Sequence, residues 1–270
     1  MTAGQPGKEG SPGRPSGPPG DPHYTLPLYR KAEAARIIRV PANTLRNWAA
    51  GPAVHDMHAQ GELTTAIRET DSRHFEAQRA ATTRHPGLIT VARPPTPRGP
   101  TIPFIGLAEA YVLASFRQAG VPMQRIRPAI HRLEEQIGLI QALASERLRT
   151  DGAEVLWDYG QQTADHAEKA AVGDLVVVRN GQLVFRSVVQ DYLRQVTYQD
   201  GWARIINVGR GKVDVTVDPW INGGHPTLAR RGIAVADILS RIRAGESSKS
   251  VATDYDLQVA EVKALMELAA

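Results

Sequence analysis

Asn43, Thr44, Arg46 and Asn47 crowd into one short stretch of the segment YRKAEAARIIRVPANTLRNW, residues 29–48. An asparagine amide can pair bidentately with adenine, and a guanidinium can pair with guanine or phosphate. Such side chains read bases only when one element presents them together. The spacing predicts that element: Leu45 and Trp48, three apart, make the inner face of a helix and leave the polar residues outside. A preceding helix, Lys31 to Ile38, supplies the packing partner through Ala35 and Ile38, with small Ala34 and Ala35 permitting close approach. Val40-Pro41 stops it, because a residue before proline is pushed out of the helical region. Pro41 is then tolerated where the second helix begins, since its missing N–H is not needed there. Two helices around a tight turn make a helix-turn-helix, whose second helix offers its N-terminal residues to base edges. Arg39, at the turn, joins the candidate DNA contacts. The alternative is an ordinary helical hairpin with a solvated polar face.

The elements that would frame this unit lie downstream. Leu88 to Arg93 (LITVAR) reads as a strand, the proline-rich stretch to Pro100 as a loop, and Thr101 to Ile105 as the returning strand. Such a pair is either a wing, with Arg93 and Arg98 placed for phosphate contacts, or a plain surface hairpin. Leu107 to Ala119 is predicted helical, stopped by Gly120. A further helix, MQRIRPAIHRLEEQIG, carries the stripe Ile126, Ile130, Leu133 and Ile137; Pro128 inside it predicts a kink or a late start. His131 lies beside that stripe and reads as structural.

Beyond residue 139 the chain is helical at first. From Asp174 the period changes: LVVVR, then Asn180-Gly181, then QLVFRSVV is a hairpin signature. Ala203 to Val208 and Lys212 to Val217 read as a second strand pair around Gly209-Arg210-Gly211. That glycine-flanked triplet is a turn and not a phosphate cradle, because no helix with a Lys-Ser/Thr signature comes after it. Val235, Ile238, Leu239 and Ile242 then mark a helix ended by Ala244-Gly245, Ser247 or Ser248 caps a short one to about Tyr255, and Val259, Val262 and Met266 mark a third. This three-helix unit could itself resemble a helix-turn-helix. The fold class is α+β. Residues 1–22, rich in Gly, Pro and Ser, are expected to be a disordered tail. Residues 23–138 form a winged helix-turn-helix DNA-binding domain, 139–171 a helical linker, and 172–270 a region of central β-hairpins plus a C-terminal three-helix domain.

Composition narrows the chemistry. With 270 residues and no cysteine, disulfides, thiolate zinc sites and cysteine nucleophiles are excluded. The cysteine count, the missing signal-peptide core and the missing long apolar run together point to a cytoplasmic chain without a membrane partner. His55, His58, His74 and His85 scatter through a polar stretch after Gly51. His55 and His58 lack a clear third and fourth ligand, so no metal and no other cofactor is expected. No nucleophile elbow, HExxH or P-loop occurs, which argues against an enzyme. The net charge of +4 is uneven: +5 over residues 21–138, −3 over 139–171 and +1 over 172–270. The basic excess sits with the suspected DNA reader.

Two stretches resemble known families. EAARIIRVPANTLRNW, with FIGLAEAYVLASFRQAGVPMQRIR downstream, resembles the winged DNA-binding module of MerR-like regulators, with Thr44-Leu45-Arg46 and Trp48 matching its pattern. That resemblance implies a second helix in the major groove of double-stranded DNA and a wing on the backbone. The tail from Val215 is similar to a domain-of-unknown-function family known from VapB-type antitoxins. The matching marks are Asp218-Pro219, Gly224-His225-Pro226, Arg231-Gly232, Ala244-Gly245-Glu246-Ser247, Val251-Ala252 and Asp254-Tyr255. It implies a type II toxin–antitoxin pair in which this chain neutralises a PIN-like ribonuclease and autoregulates its operon, acting as a homodimer. Arg230, Arg231, Arg241 and Arg243 are the candidates for the partner contact. The alternative is a stand-alone MerR-like transcriptional regulator whose C-terminal half binds a ligand or another protein.

Overall fold

The computed structural model describes residues 21–50, 87–137, 141–209 and 213–269. After a short turn of helix, α1 (Pro22–Thr25), and strand β1 (Pro27–Tyr29), helix α2 runs over Lys31–Ile38 and α3 over Ala42–Ala50, as the spacing predicts. Arg39 closes α2 in the left-handed region at φ 59°. That reversal sends the Val40 N–H back to the Ala35 carbonyl at 2.9 Å and lets Pro41 open α3. Leu45 and Trp48 of α3 are buried, as are Ala34, Ala35, Ile37 and Ile38 of α2. More of α2 is covered than a two-helix hairpin requires, because its other side meets a second body of protein.

That body begins with helix α4 (Phe104–Gln118), buried at every position from Phe104 to Phe116. The expected strand Leu88 to Arg93 does not form; residues 90–94 lie outside any regular element. Only Ala92 N–H to the Thr101 carbonyl, at 2.8 Å, survives of the expected hairpin. The short strand β2 (Ile102–Pro103) pairs instead with β1, antiparallel, Pro27 opposite Pro103. Prolines at 94, 95, 97 and 100 withhold the N–H groups a ladder needs. Tyr29, ahead of the helix-turn-helix, offers its carbonyl to Thr101 N–H at 3.0 Å. The described residues downstream of α3 therefore form no wing hairpin. Helix α4 also starts earlier than expected, at Phe104.

Helix α5 (Met123–Ile137) runs through Pro128 without a late start. Proline there leaves one carbonyl in the first turn without its N–H, and burial of Ile126, Ala129, Ile130, Leu133 and Ile137 offsets that loss. Helices α6 (Glu146–Gln162) and α7 (His166–Gly173) come next, capped by Ser145 and Asp165, and α6 packs against α5. Strands β3 (Val176–Arg179) and β4 (Gln182–Phe185) form the expected hairpin, with Asn180 and Gly181 at φ 52° and 75°. The run after Phe185 is not strand. It is helix α8 (Ser187–Arg194), whose Val189 and Leu193, four apart, face the core.

A five-stranded antiparallel sheet completes the centre among the described residues, in the order β5 (Val196–Gln199), β6 (Trp202–Asn207), β7 (Val215–Val217), β8 (Thr227–Leu228) and β9 (Ile233–Ala234). The expected β6–β7 pair is present, Ile206 opposite Val217. Strand β5 was not expected, although Asp200-Gly201 at φ 52° and 81° repeats the turn geometry of Asn180-Gly181. The Gly209-Arg210-Gly211 turn lies outside the described residues except for its first glycine. The tail is α9 (Val235–Arg243), α10 (Ser248–Asp254) and α11 (Val259–Ala269). Ser247 caps α10 by accepting from the Ser250 N–H, and Gly245 at φ 97° ends α9. In α11 Val262 is buried as expected, but Leu265 takes the inner place expected for Met266, and Val259 and Met266 are exposed. No helix among the described residues is long and apolar enough to cross a membrane.

Candidate nucleic-acid interface

Helix α3 presents Asn43, Arg46 and Asn47 to solvent, and Thr44 at its edge is half-buried. The four lie on the outer side because Leu45 and Trp48 fill the inner one. Arg46 Nη1 donates to Asn43 Oδ1 at 2.6 Å, which pre-arranges a guanidinium and an amide side by side. Neither group is spent in the core, so both can exchange that bond for base edges or phosphates. Arg117, at the end of α4, donates from Nη1 to Thr44 Oγ1 at 3.0 Å and is itself exposed. It adds a cation to the same surface. No sequence signal places it there, since 73 positions separate it from Thr44.

The other candidates are arranged differently. Arg39 is exposed, but its Nη2 donates to the Val208 carbonyl at 2.8 Å. It ties the turn of the helix-turn-helix to the end of β6. Arg93 and Arg98 stand on the loop before β2, both exposed. That loop is anchored at the C-terminal end of α3, where the Leu88 N–H meets the Trp48 carbonyl at 2.7 Å. The loop is further fixed from below: the Thr90 N–H donates at 2.5 Å to Glu109 Oε2, inside α4. Complete burial pushes the Glu109 carboxyl up to about 8, with the Thr90 hydrogen bond opposing. Gly106 is needed one turn earlier, because a Cβ there would lie 2.2 Å from the Thr90 carbonyl oxygen.

The reader is docked on the tail. The Tyr29 hydroxyl donates to the buried Gly224 carbonyl at 2.6 Å, and Glu33 of α2 pairs with His225 Nδ1 at 3.1 Å. Burial works to raise the Glu33 carboxyl, but the His225 hydrogen bond and charge outweigh it and hold it below the usual range. The same hydrogen bond raises His225 above its ordinary value, against its own burial.

The tail repeats the geometry of the reader. In the turn between α10 and α11, Asp256 at φ 50° stands where Arg39 stands, and the Leu257 N–H reaches back to the Ala252 carbonyl at 2.7 Å. Val262 and Leu265 take the inner places of Leu45 and Trp48. The outer places of Asn43, Arg46 and Asn47 are held by Ala260, Lys263 and Ala264. The amides and guanidinium on the outer face of α3 thus have no counterpart on α11 beyond Lys263.

The four tail arginines are mostly committed. Arg230 pairs with Glu261 at 2.7 Å and Arg231 with Asp256. Arg241 pairs with Asp254 at 2.5 Å and with Glu246, and lies 5.5 Å from the Tyr255 ring centre. The Arg243 guanidinium makes no hydrogen bond or ion pair among the described residues. The described residues contain no group of three or more His, Asp or Glu suited to a metal, and His55, His58, His74 and His85 lie outside them.

Residues 27–130 match a family model described as "Putative DNA-binding HTH domain", and residues 215–269 match a "Protein of unknown function (DUF433)". The chain is 37% identical over 235 residues to "Putative antitoxin VapB45" of Mycobacterium tuberculosis (strain ATCC 25618 / H37Rv), covering 86% of this chain and 89% of the relative. The X-ray crystal structure of Rv2018 from Mycobacterium tuberculosis superposes with a TM-score of 0.71 at 35% identity, covering 90% of this chain and 98% of the other. Identity of this extent over most of both chains makes this chain a member of the protein family that includes VapB45.

Proposed function

We propose that this chain is a DNA-binding antitoxin that neutralises a PIN-like ribonuclease and autoregulates the operon encoding both. The observation that carries the reading is the combination, in one chain, of a helix-turn-helix with Asn43, Arg46 and Asn47 on its outer face and near full-length similarity to a protein named as an antitoxin. In this reading α3 enters the major groove of double-stranded DNA in the manner of MerR-like regulators. Arg46, Asn43 and Asn47 meet base edges, while Thr44, Arg93 and Arg98 contact phosphates. Arg39 supports the turn from behind through Val208. Two copies bind as a homodimer, because one module buries little base-reading surface and a second half-site multiplies specificity.

The ribonuclease is held by the tail. Arg230, Arg231 and Arg241 already hold carboxylates of this chain, so they meet a partner's acidic site only by exchanging ion pairs, whereas Arg243 has none to exchange among the described residues. No catalysis by this chain is involved, and no cofactor. Co-purification from the native locus, with sequencing of bound DNA, tests both halves. A nuclease encoded next to this chain is expected in the complex, together with DNA from the shared promoter. Recovery of promoter DNA without a nuclease would leave a stand-alone regulator, and recovery of neither would sink the proposal.

A further inference from the structure

Between α2 of the DNA reader and α9 of the tail lies a cavity of about 170 Å³. Its apolar lining comes from Ile37 of α2, Val208 beyond β6, and Val235 and Leu239 of α9, all buried. Arg36 and Arg243 also line it, both exposed, and the guanidinium of neither forms a hydrogen bond or ion pair with a described residue. Glu33 is the acidic group in the lining, and its carboxylate is occupied by His225 and by the Arg30 N–H. Arg36 acts on that carboxylate only through its charge, the weakest of the influences that lower it. An apolar recess is thus lined by two arginines, one from each of two units of the chain, whose guanidinium groups have no ion-pair partners among the described residues.

Size and chemistry narrow the occupant. An apolar cavity of about 150 Å³ accommodates a single benzene-sized ring. Guanidinium groups take a carboxylate with two parallel hydrogen bonds, and that geometry is worth most where an apolar wall excludes water. We propose that this cavity binds a small organic carboxylate with an aromatic ring or short aliphatic chain. The apolar body lies between α2 and α9, and the acid group meets Arg36 and Arg243. The inference goes beyond the antitoxin reading and needs neither the nuclease nor the operator. Its consequence is regulatory: an occupant touching both units strengthens the docking already made by Tyr29 with Gly224 and Glu33 with His225.

The test uses the full chain and three probes: benzoate, octanoate, and benzamide as the uncharged counterpart of benzoate. Calorimetry and amide NMR shifts are expected to show saturable binding of at least one carboxylate, with the Ile37 and Leu239 signals moving. The double variant Arg36→Gln/Arg243→Gln, changed only at exposed positions, is expected to melt like the parent and to bind at least about tenfold more weakly. Benzamide is expected to bind at least about tenfold more weakly than benzoate, the cost of losing the charge-assisted bonds. No saturable binding of either carboxylate up to about 50 mM, a range that reaches the weakest specific complexes, overturns the proposal. So does binding that the double variant leaves unchanged, or benzamide binding as tightly as benzoate.

Discussion

The Tyr29 hydroxyl reaches across 195 positions of sequence to donate a buried hydrogen bond to the Gly224 carbonyl at 2.6 Å. Burial raises the Tyr29 phenol far above its ordinary range, so it remains a neutral donor. Gly224, at φ 79°, accepts the close approach because a Cβ there would lie 2.5 Å from the phenol oxygen. Tyr29→Phe is expected to cost about 1–2 kcal/mol by leaving the carbonyl without its donor. Gly224→Ala is expected to cost more, since it adds both the clash and a strained φ. Urea unfolding of the full chain measures both; a Tyr29→Phe protein as stable as the parent contradicts the role given to this bond.

The Glu33–His225 pair gives the same junction a pH window. His225 is raised by Glu33, so its contribution is full below the ordinary histidine range and is lost as pH rises through the folded value. Glu33 is lowered, so its contribution is present above the ordinary carboxylate value and is lost as pH falls through the folded one. Stability from the pair is therefore largest in mildly acidic solution, by no more than about 1 kcal/mol because both side chains are partly exposed. Melting the parent and His225→Gln from about pH 4 to about pH 9 checks this, the parent's advantage peaking between the two titrations.

Glu109 works in the opposite sense. Its folded value of about 8 stands above the unfolded one, so the folded chain binds the proton more tightly and loses stability as pH rises towards and through 8. Glu109→Gln keeps an acceptor for the Thr90 N–H and has no charge to bury. The variant is expected to gain roughly 2–4 kcal/mol over the parent at about pH 9, and much less at about pH 5. Equal pH profiles for the two proteins would show that the carboxyl is not held neutral.

Arg46→Ala is expected to weaken operator binding by about 1–3 kcal/mol and to relax base preference if the guanidinium meets guanine, or to lower the salt slope by about 1 if it meets phosphate. Arg117→Ala tests the cation that only the fold brings to Thr44. It is expected to weaken binding evenly across sequences, as a phosphate contact does. Gel-shift titration at several salt concentrations separates the outcomes.

Arg241→Ala is expected to lower the melting temperature, because Glu246 and Asp254 lose their shared cation. Arg243→Ala is expected to leave melting unchanged. A drop of equal size in both would remove the distinction drawn between committed and available arginines of the tail.

Much of the architecture is legible from local rules. Val40-Pro41 set the turn, Leu45 and Trp48 the inner face of α3, and Asn180-Gly181 the β3–β4 hairpin, because each depends on neighbours in sequence. Local rules fail where a distant partner competes. LITVAR has strand composition, yet Tyr29 supplies the carbonyl that the Thr101 N–H needs, and a single bond, Ala92 to Thr101, is left of the expected wing. SVVQDYLR reads as strand at its start, but it packs against α4 as a helix that buries Val189 and Leu193, four apart.

What the sequence by itself determined is the chemistry of the outer face of α3: amide, hydroxyl and guanidinium in one helical turn, with the apolar residues turned inward. Helical periodicity is a local property and needs no partner to be read. Only the tertiary structure decided which cations are available. It set Arg117 beside Thr44, bound Arg39 to Val208, closed Arg230, Arg231 and Arg241 onto carboxylates of the same chain, and left Arg36 and Arg243 facing one apolar cavity. A charge's availability depends on what lies within a few ångströms of it, and that is fixed by packing between segments far apart in sequence.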